Sequence, residues 1–148
     1  MATVFLPRGL PGAGKTTLAR MLESERPALR LTPDEWMARV VGDGYDDVKR
    51  AAVKALLWEI GARALALGVD VVLDFGVWAR SERDSYRTKA VALGANTRIC
   101  FLDVPREELL RRLALRNADL PADTFTVTTD QLDLYFTWFE PPTSEELA

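Results

Sequence analysis

The run Gly9-Leu10-Pro11-Gly12-Ala13-Gly14-Lys15-Thr16 fills every fixed position of a G-x-x-x-x-G-K-[ST] pattern. Those residue types at that spacing make a phosphate-binding loop. The glycines let consecutive backbone N–H groups curl around an anion. Lys15 brings a point charge to the β- and γ-phosphates, and the Thr16 hydroxyl can hold Mg²⁺. A helix predicted to begin at Lys15 would aim its positive end at the same anion. The plainer reading is a glycine-rich turn that matches by chance. The apolar run Thr3–Leu6 before the loop and the helical pattern after it argue against chance.

The chain has no histidine. That excludes histidine bases, Ser-His-Asp triads and Cys/His zinc sites, and leaves carboxylates as the natural proton acceptors. Asp34 follows a predicted strand and sits at a helix start, where free N–H groups favour its charge. There it can take the proton of an attacking hydroxyl; the competing reading is a first-turn acid that only steadies its helix. Asp74 ends the apolar run 71–73 and can serve Mg²⁺ beside Thr16. Asp103 also ends an apolar run and competes for that role, although Pro105 makes it a simple helix start.

Arginines form two groups. Arg80, Arg83 and Arg87 follow Asp74, and Arg80 and Arg83 are placed to meet an acceptor or the transferred group. Arg111, Arg112 and Arg116 form the second. Arg112 and Arg116 share a helix face and can clamp a nucleotide by stacking and by pairing with phosphate. For both groups a solvated, salt-bridged face is the alternative, with Glu108 the acid for Arg112. Trp36 and Trp78 are candidates to line an acceptor pocket, with core burial as the alternative; Trp58 reads as core.

Strand-like and helix-like segments alternate, which predicts an α/β fold with a parallel sheet. Strands are expected at about 3–7, 28–31, 69–73 and 97–102. Pro7 lacks an N–H, so pairing of the first strand is expected to stop at Leu6. Helices are expected at about 15–25, 46–67, 82–93, 105–117 and 129–139. Ser81 is the predicted cap of the third of these. The long one is expected to bury Val53, Leu56, Leu57, Ile60 and Ala64. Thr32 with Glu35, and Thr128 with Gln131, read as capping boxes.

A chain of 148 residues with 48% hydrophobic and 28% charged content suits one globular domain, taken as 1–148. The lone cysteine, Cys100, lies in an apolar run and reads as a structural thiol. No apolar run is long enough to cross a membrane, and no signal peptide is apparent, so a cytoplasmic location is expected. The net charge of −3 divides into +4 over residues 1–116 and −7 over 117–148. A cationic body of this size suits a polyanionic nucleotide better than a long nucleic-acid track.

Four segments together resemble a known family: G-L-P-G-A-G-K-T-T at 9–17, L-T-P-D-E-W at 31–36, V-V-L-D-F-G-V-W-A-R at 71–80 and L-L-R-R-L-A-L-R-N at 109–117. They look like the small P-loop kinases of AAA type, grouped with polynucleotide 5′-kinases, chloramphenicol phosphotransferases and zeta-toxin kinases. The resemblance covers nearly the whole chain. It implies a three-layer P-loop NTPase fold of the nucleoside-monophosphate-kinase kind, with about four core strands and a lid around 112–128. It implies ATP–Mg²⁺ as donor, with Gly9, Pro11, Gly12, Ala13, Gly14, Lys15, Thr16, Thr17, Arg112 and Arg116 around the nucleotide, and Thr16 and Asp74 at the metal. It implies Asp34, Lys15 and Arg116 as the catalytic set, with Trp36, Arg80 and Arg83 on the acceptor side. The acceptor would be a hydroxyl of a small molecule or of a nucleic-acid 5′ end. Many such kinases carry a fifth strand after the lid, for which the chain offers no strong candidate. Two alternatives remain: an ATP-hydrolysing NTPase or switch, and a nucleotide-binding module without catalysis.

Overall fold

The computed structural model describes residues 1–76, 79–121 and 124–147. Trp78 and the part of the expected lid at 122–123 therefore lie outside the described residues. Among the described residues the order is β1 (Thr3–Arg8), α1 (Lys15–Glu25), β2 (Ala28–Leu31), α2 (Pro33–Trp36), α3 (Asp47–Ala66), β3 (Asp70–Leu73), α4 (Arg80–Ala92), β4 (Asn96–Phe101), α5 (Arg106–Ala118), α6 (Thr129–Trp138) and α7 (Ser144–Leu147). α2 runs on as a π-helical turn, Met37–Val41, closed by the Gly42 N–H donating to the Met37 carbonyl at 2.7 Å.

The four strands form one parallel sheet in the order β2-β3-β1-β4. Helices cover both faces, as a parallel sheet requires. On one face Val4, Leu6, Leu31, Val71, Leu73 and Ile99 pack with Leu57 and Leu65 of α3 and Ala90 of α4. On the other, Phe5 and Val72 pack with Ala19 and Leu22 of α1. A third cluster joins Leu10 and Ala13 of the loop after β1 to Leu109 and Leu113 of α5 and to Leu132 of α6. Burying side chains of this size stabilises by roughly 1.5–3 kcal/mol each, so the third cluster anchors the loop firmly to α5.

Four local expectations are corrected. Pairing of β1 does not stop at Leu6: Pro7 stands opposite Cys100, Arg8 opposite Phe101, and the Arg8 carbonyl accepts from the Leu102 N–H at 2.7 Å. Alternate residues of a parallel strand face alternate neighbours. Arg8 faces β4, so Pro7 turns its missing N–H towards β3, where the register ends at Phe5. Thr32 starts α2 without a side-chain cap, because its hydroxyl donates to Asp74 Oδ2 at 3.2 Å and accepts from Arg30 at 2.7 Å. Ser81 does not cap α4, which already begins at Arg80. Leu56 is 46% exposed, and Gly61 and Leu65 take its place on the buried face of α3. The Thr128–Gln131 capping box does form.

Among the described residues the sheet has no fifth strand. Instead α7 packs beside β4. No helix among them is long and apolar enough to cross a membrane.

Candidate active site

The loop between β1 and α1 lies at the carboxyl end of the central strand, the end at which parallel sheets gather ligands. Gly14 caps α1 with φ 98°, a left-handed backbone that an L side chain rarely adopts. The Lys15 ammonium reaches back across the loop and donates to the Gly9 carbonyl at 2.8 Å. Burial pushes its pKa from 10.5 down to about 8, against the attraction of Asp74 and Asp34.

β3 delivers Asp74 to the same place. Thr16 Oγ1 donates to Asp74 Oδ2 at 2.8 Å, and Thr32 from the end of β2 donates to the same oxygen. Asp74 is buried, which raises its pKa, while the two hydroxyls and Lys15 pull it back. Asp103 is exposed and sits at the end of β4. Thr16 and Asp74 therefore present adjacent oxygen donors beside the loop. This donor set suits Mg²⁺, which takes few protein oxygens and retains water.

Asp34 stands in the first turn of α2 with its side chain 48% exposed, and its Oδ1 accepts from Arg50 Nη2 at 2.8 Å. The same Arg50 nitrogen donates to the Gly44 carbonyl at 2.8 Å. Arg50 escaped the sequence reading, since a lone arginine in a long helix carries no local signal. Trp36, next to Asp34 on α2, is half-buried against the main core cluster.

Arg112 and Arg116 both reach towards the loop from α5. Arg112 Nη1 lies 3.3 Å from the Gly12 carbonyl and 3.5 Å from that of Ala13, while its Nε binds Glu108 at 3.0 Å. Arg116 Nη2 donates to the Phe125 carbonyl at 3.3 Å, and its buried Nε has no partner. Burial lowers the Arg116 pKa, against the attraction of Asp34. The segment 124–127 bridges from α5 to the turn before α3. Phe125 lies against Gly44, where a Cβ would meet its ring at 2.5 Å, and the Tyr45 hydroxyl donates to the Thr126 carbonyl.

Arg80 and Arg83 are placed differently. Arg83 is buried and grips Glu146 of α7, with Nε 2.7 Å from Oε2, and Arg80 reaches the same carboxylate at 3.3 Å. Loop, Thr16, Asp74, Asp34 and Arg116 converge; Arg83, in the first turn of α4, is sequestered by Glu146 of α7. Arg8, at the end of β1, is also fully buried. Its Nη1 donates to its neighbour's carbonyl, Pro7 O, at 2.5 Å, and its Nε and Nη2 have no partner. Unpaired buried donors of this kind cost roughly 1–3 kcal/mol each. Beside the phosphate loop, a cleft of about 140 Å³ is lined by Gly9, Leu102, Asp103, Phe136 and Phe139.

A family model described as an AAA domain matches residues 4–142. No curated protein matches significantly. Solved structures do. Chaetomium thermophilum Kti12 in complex with ADP-AlF3 is similar at TM-score 0.74 and 16% identity, over 96% of this chain and 82% of that one. A chain of the Pnkp1/Rnl/Hen1 RNA repair complex is similar at TM-score 0.74 and 18% identity over 93% of this chain. This chain spans only 43% of that one. A gluconokinase from Sinorhizobium meliloti is similar at TM-score 0.66 and 18% identity, over 99% of this chain and 79% of that one. At these identities the likeness is one of fold.

Proposed function

Because the chain belongs to the AAA domain family, we propose that it is a small P-loop kinase that moves the γ-phosphoryl group of ATP to a hydroxyl acceptor. The observation that carries this reading is the convergence of Lys15, the Thr16–Asp74 pair and Asp34 at the carboxyl ends of β1, β2 and β3. Lys15 and the loop's N–H groups bind the phosphates. Thr16 and Asp74 would hold Mg²⁺, which neutralises charge on the phosphate oxygens when bound. Asp34 keeps Oδ1 on Arg50 and takes the acceptor hydroxyl proton at Oδ2. The acceptor oxygen then bonds to the γ-phosphorus as the bond to the β-phosphate oxygen breaks, releasing ADP. Arg116, which lies near enough to Lys15 and Asp34 to interact with both electrostatically, meets the charge on the transferring group.

Arg50 is the positioning residue for Asp34. The segment 124–127 acts as the lid edge that excludes water from the transfer. The acceptor is a small hydroxyl compound or a nucleic-acid 5′ end; the Pnkp1 and gluconokinase likenesses support one each.

Asp34→Asn tests the proposal, because asparagine keeps the shape and can still accept from Arg50. ATP binding is expected to survive while transfer falls roughly 10²-fold or more, the range for loss of a general base. Full transfer by Asp34→Asn would sink this mechanism and leave plain ATP hydrolysis. Equal loss of ATP binding and transfer would make Asp34 a structural residue or a metal ligand.

A further inference from the structure

Two demands compete for the hydroxyl of Thr32, at the junction of β2 and α2. The register of β2 sets Arg30 opposite Val72 and Leu31 opposite Leu73. One step further on, the Asp74 N–H donates to the Leu31 carbonyl at 3.0 Å. The pairing thus carries past the ends of both strands and brings Thr32 beside Asp74. Side chains alternate between the faces of a sheet, so Arg30 and Thr32 share the face on which Val72 packs against α1.

Thr32 is 5% exposed. Its Oγ1 accepts from Arg30 Nη1 at 2.7 Å and lies 3.2 Å from Asp74 Oδ2. A guanidinium has donors and no acceptor. The Thr32 oxygen must therefore accept from Arg30, and its single proton is left for the carboxylate. Asp74 Oδ2 receives two hydroxyl protons, one from Thr32 and one from Thr16 at 2.8 Å. Among the described residues Oδ1 accepts from none. Thr16, with its proton committed to Asp74, keeps its oxygen lone pairs for a cation. Arg30 is itself held from two sides: Nε donates to Glu23 of α1 at 2.9 Å and Nη1 to Glu35 of α2 at 2.5 Å. The arrangement leaves α2 uncapped. Thr32 has the place and the residue type of a helix cap, yet it makes no cap hydrogen bond. Simple satisfaction of a buried hydroxyl does not require giving up that local role.

We propose that Thr32 is a positioning residue for the Thr16–Asp74 pair: it fixes which Asp74 oxygen faces Thr16, and Arg30 fixes the direction in which Thr32 donates. Carboxylates that hold metals are oriented by their own hydrogen-bond partners, and those partners help to set the affinity. The link from Glu35 through Arg30 and Thr32 to Asp74 also ties α2, which carries Asp34, to the oxygens that Mg²⁺ would use. The inference rests on the phosphotransferase reading for the identity of that cation.

The experiment is calorimetry of the β,γ-imido analogue of ATP binding to the full chain, over a series of Mg²⁺ concentrations and in EDTA. Thr32→Val keeps the shape and removes the hydroxyl. It is expected to raise the Mg²⁺ concentration for half-maximal enhancement of binding roughly tenfold or more. Affinity for the metal-free analogue should stay at the wild-type value. Thr32→Ser, which keeps the hydroxyl, should restore the wild-type Mg²⁺ response. Arg30→Met should weaken that response in the wild-type chain and add nothing in Thr32→Val, because both act through one proton. An unchanged Mg²⁺ response in Thr32→Val, an equal loss of metal-free binding, or additive effects of the two substitutions overturns the inference. If Thr32→Val does not fold, Arg30→Met decides alone. It must weaken the Mg²⁺ response and spare the metal-free affinity, and an unchanged response overturns the inference. A wild-type chain whose binding ignores Mg²⁺ overturns both this inference and the metal site of the phosphotransferase reading. A wild-type chain that responds to Mg²⁺ no differently from Thr32→Val overturns this inference alone.

Discussion

The ammonium of Lys15 ties nucleotide binding to pH. Burial holds its pKa at about 8, against 10.5 for the ordinary group. Between those values the folded protein has shed a proton that the unfolded chain keeps, so Lys15 makes stability rise with pH across that window. A bound triphosphate favours the charged form and pulls the pKa back up. Nucleotide binding above pH 8 is therefore expected to take up a proton, and affinity to fall as pH rises. Titrations in buffers of different ionisation enthalpy measure that uptake, and a result of zero would contradict it. Lys15→Ala should cut turnover by several orders of magnitude; near-normal turnover would remove the phosphate loop from the mechanism. Asp74→Asn should raise the Mg²⁺ needed for half-maximal activity, and an unchanged metal dependence would point to Asp103 instead. The loop residues and Asp74 were legible because motif spacing and strand ends are local signals. Arg50 and Glu146 were not, since each acts through a partner distant in the chain.

The elements were legible where one periodic signal decided them, as for α1, β2 and the capping box of α6. They were not where tertiary contacts outbid local ones. Thr32 and Glu35 have the capping-box spacing, but Arg30 takes Glu35 at 2.5 Å and Asp74 takes the Thr32 hydroxyl. No helix was expected after about 139 in the acidic end of the chain, yet Arg83 draws that segment in as α7. That attachment is acid-sensitive. Arg83 holds the Glu146 pKa below its ordinary 4.5, so the pair stabilises the fold above that value and the contribution fades as pH falls through the lowered one. Amide exchange in α7 should therefore rise below about pH 4.5 before the sheet loosens; simultaneous loss would show that α7 has no separate transition. The proposed lid edge, 124–127, offers another check. Gly44→Ala sets a Cβ against the Phe125 ring, so 124–127 must lift from the turn. Transfer should fall and the Val127 amide, bound to Asn117 at 3.3 Å, should exchange faster. Unchanged exchange would mean that Phe125 shifts without freeing the segment.

At the scale of the molecule, charge and topology divide the labour. Two groups of arginines stand on α4 and α5, and the acidic end supplies Glu146 to the group on α4. The topology also orders events in time. β1 bears the phosphate loop and lies in the interior of the sheet, yet it precedes the other three strands in the chain. Val4 must wait for Val71, and Thr3 for Asn96, before both its sides are paired. A sheet made only of parallel neighbours has no hairpin to nucleate it, and such long-range pairing is slow and exposes strand edges meanwhile. A nascent chain that has not yet delivered β4 thus carries a complete phosphate-loop sequence on a strand still open along one side, a species prone to self-association and a natural client for chaperones.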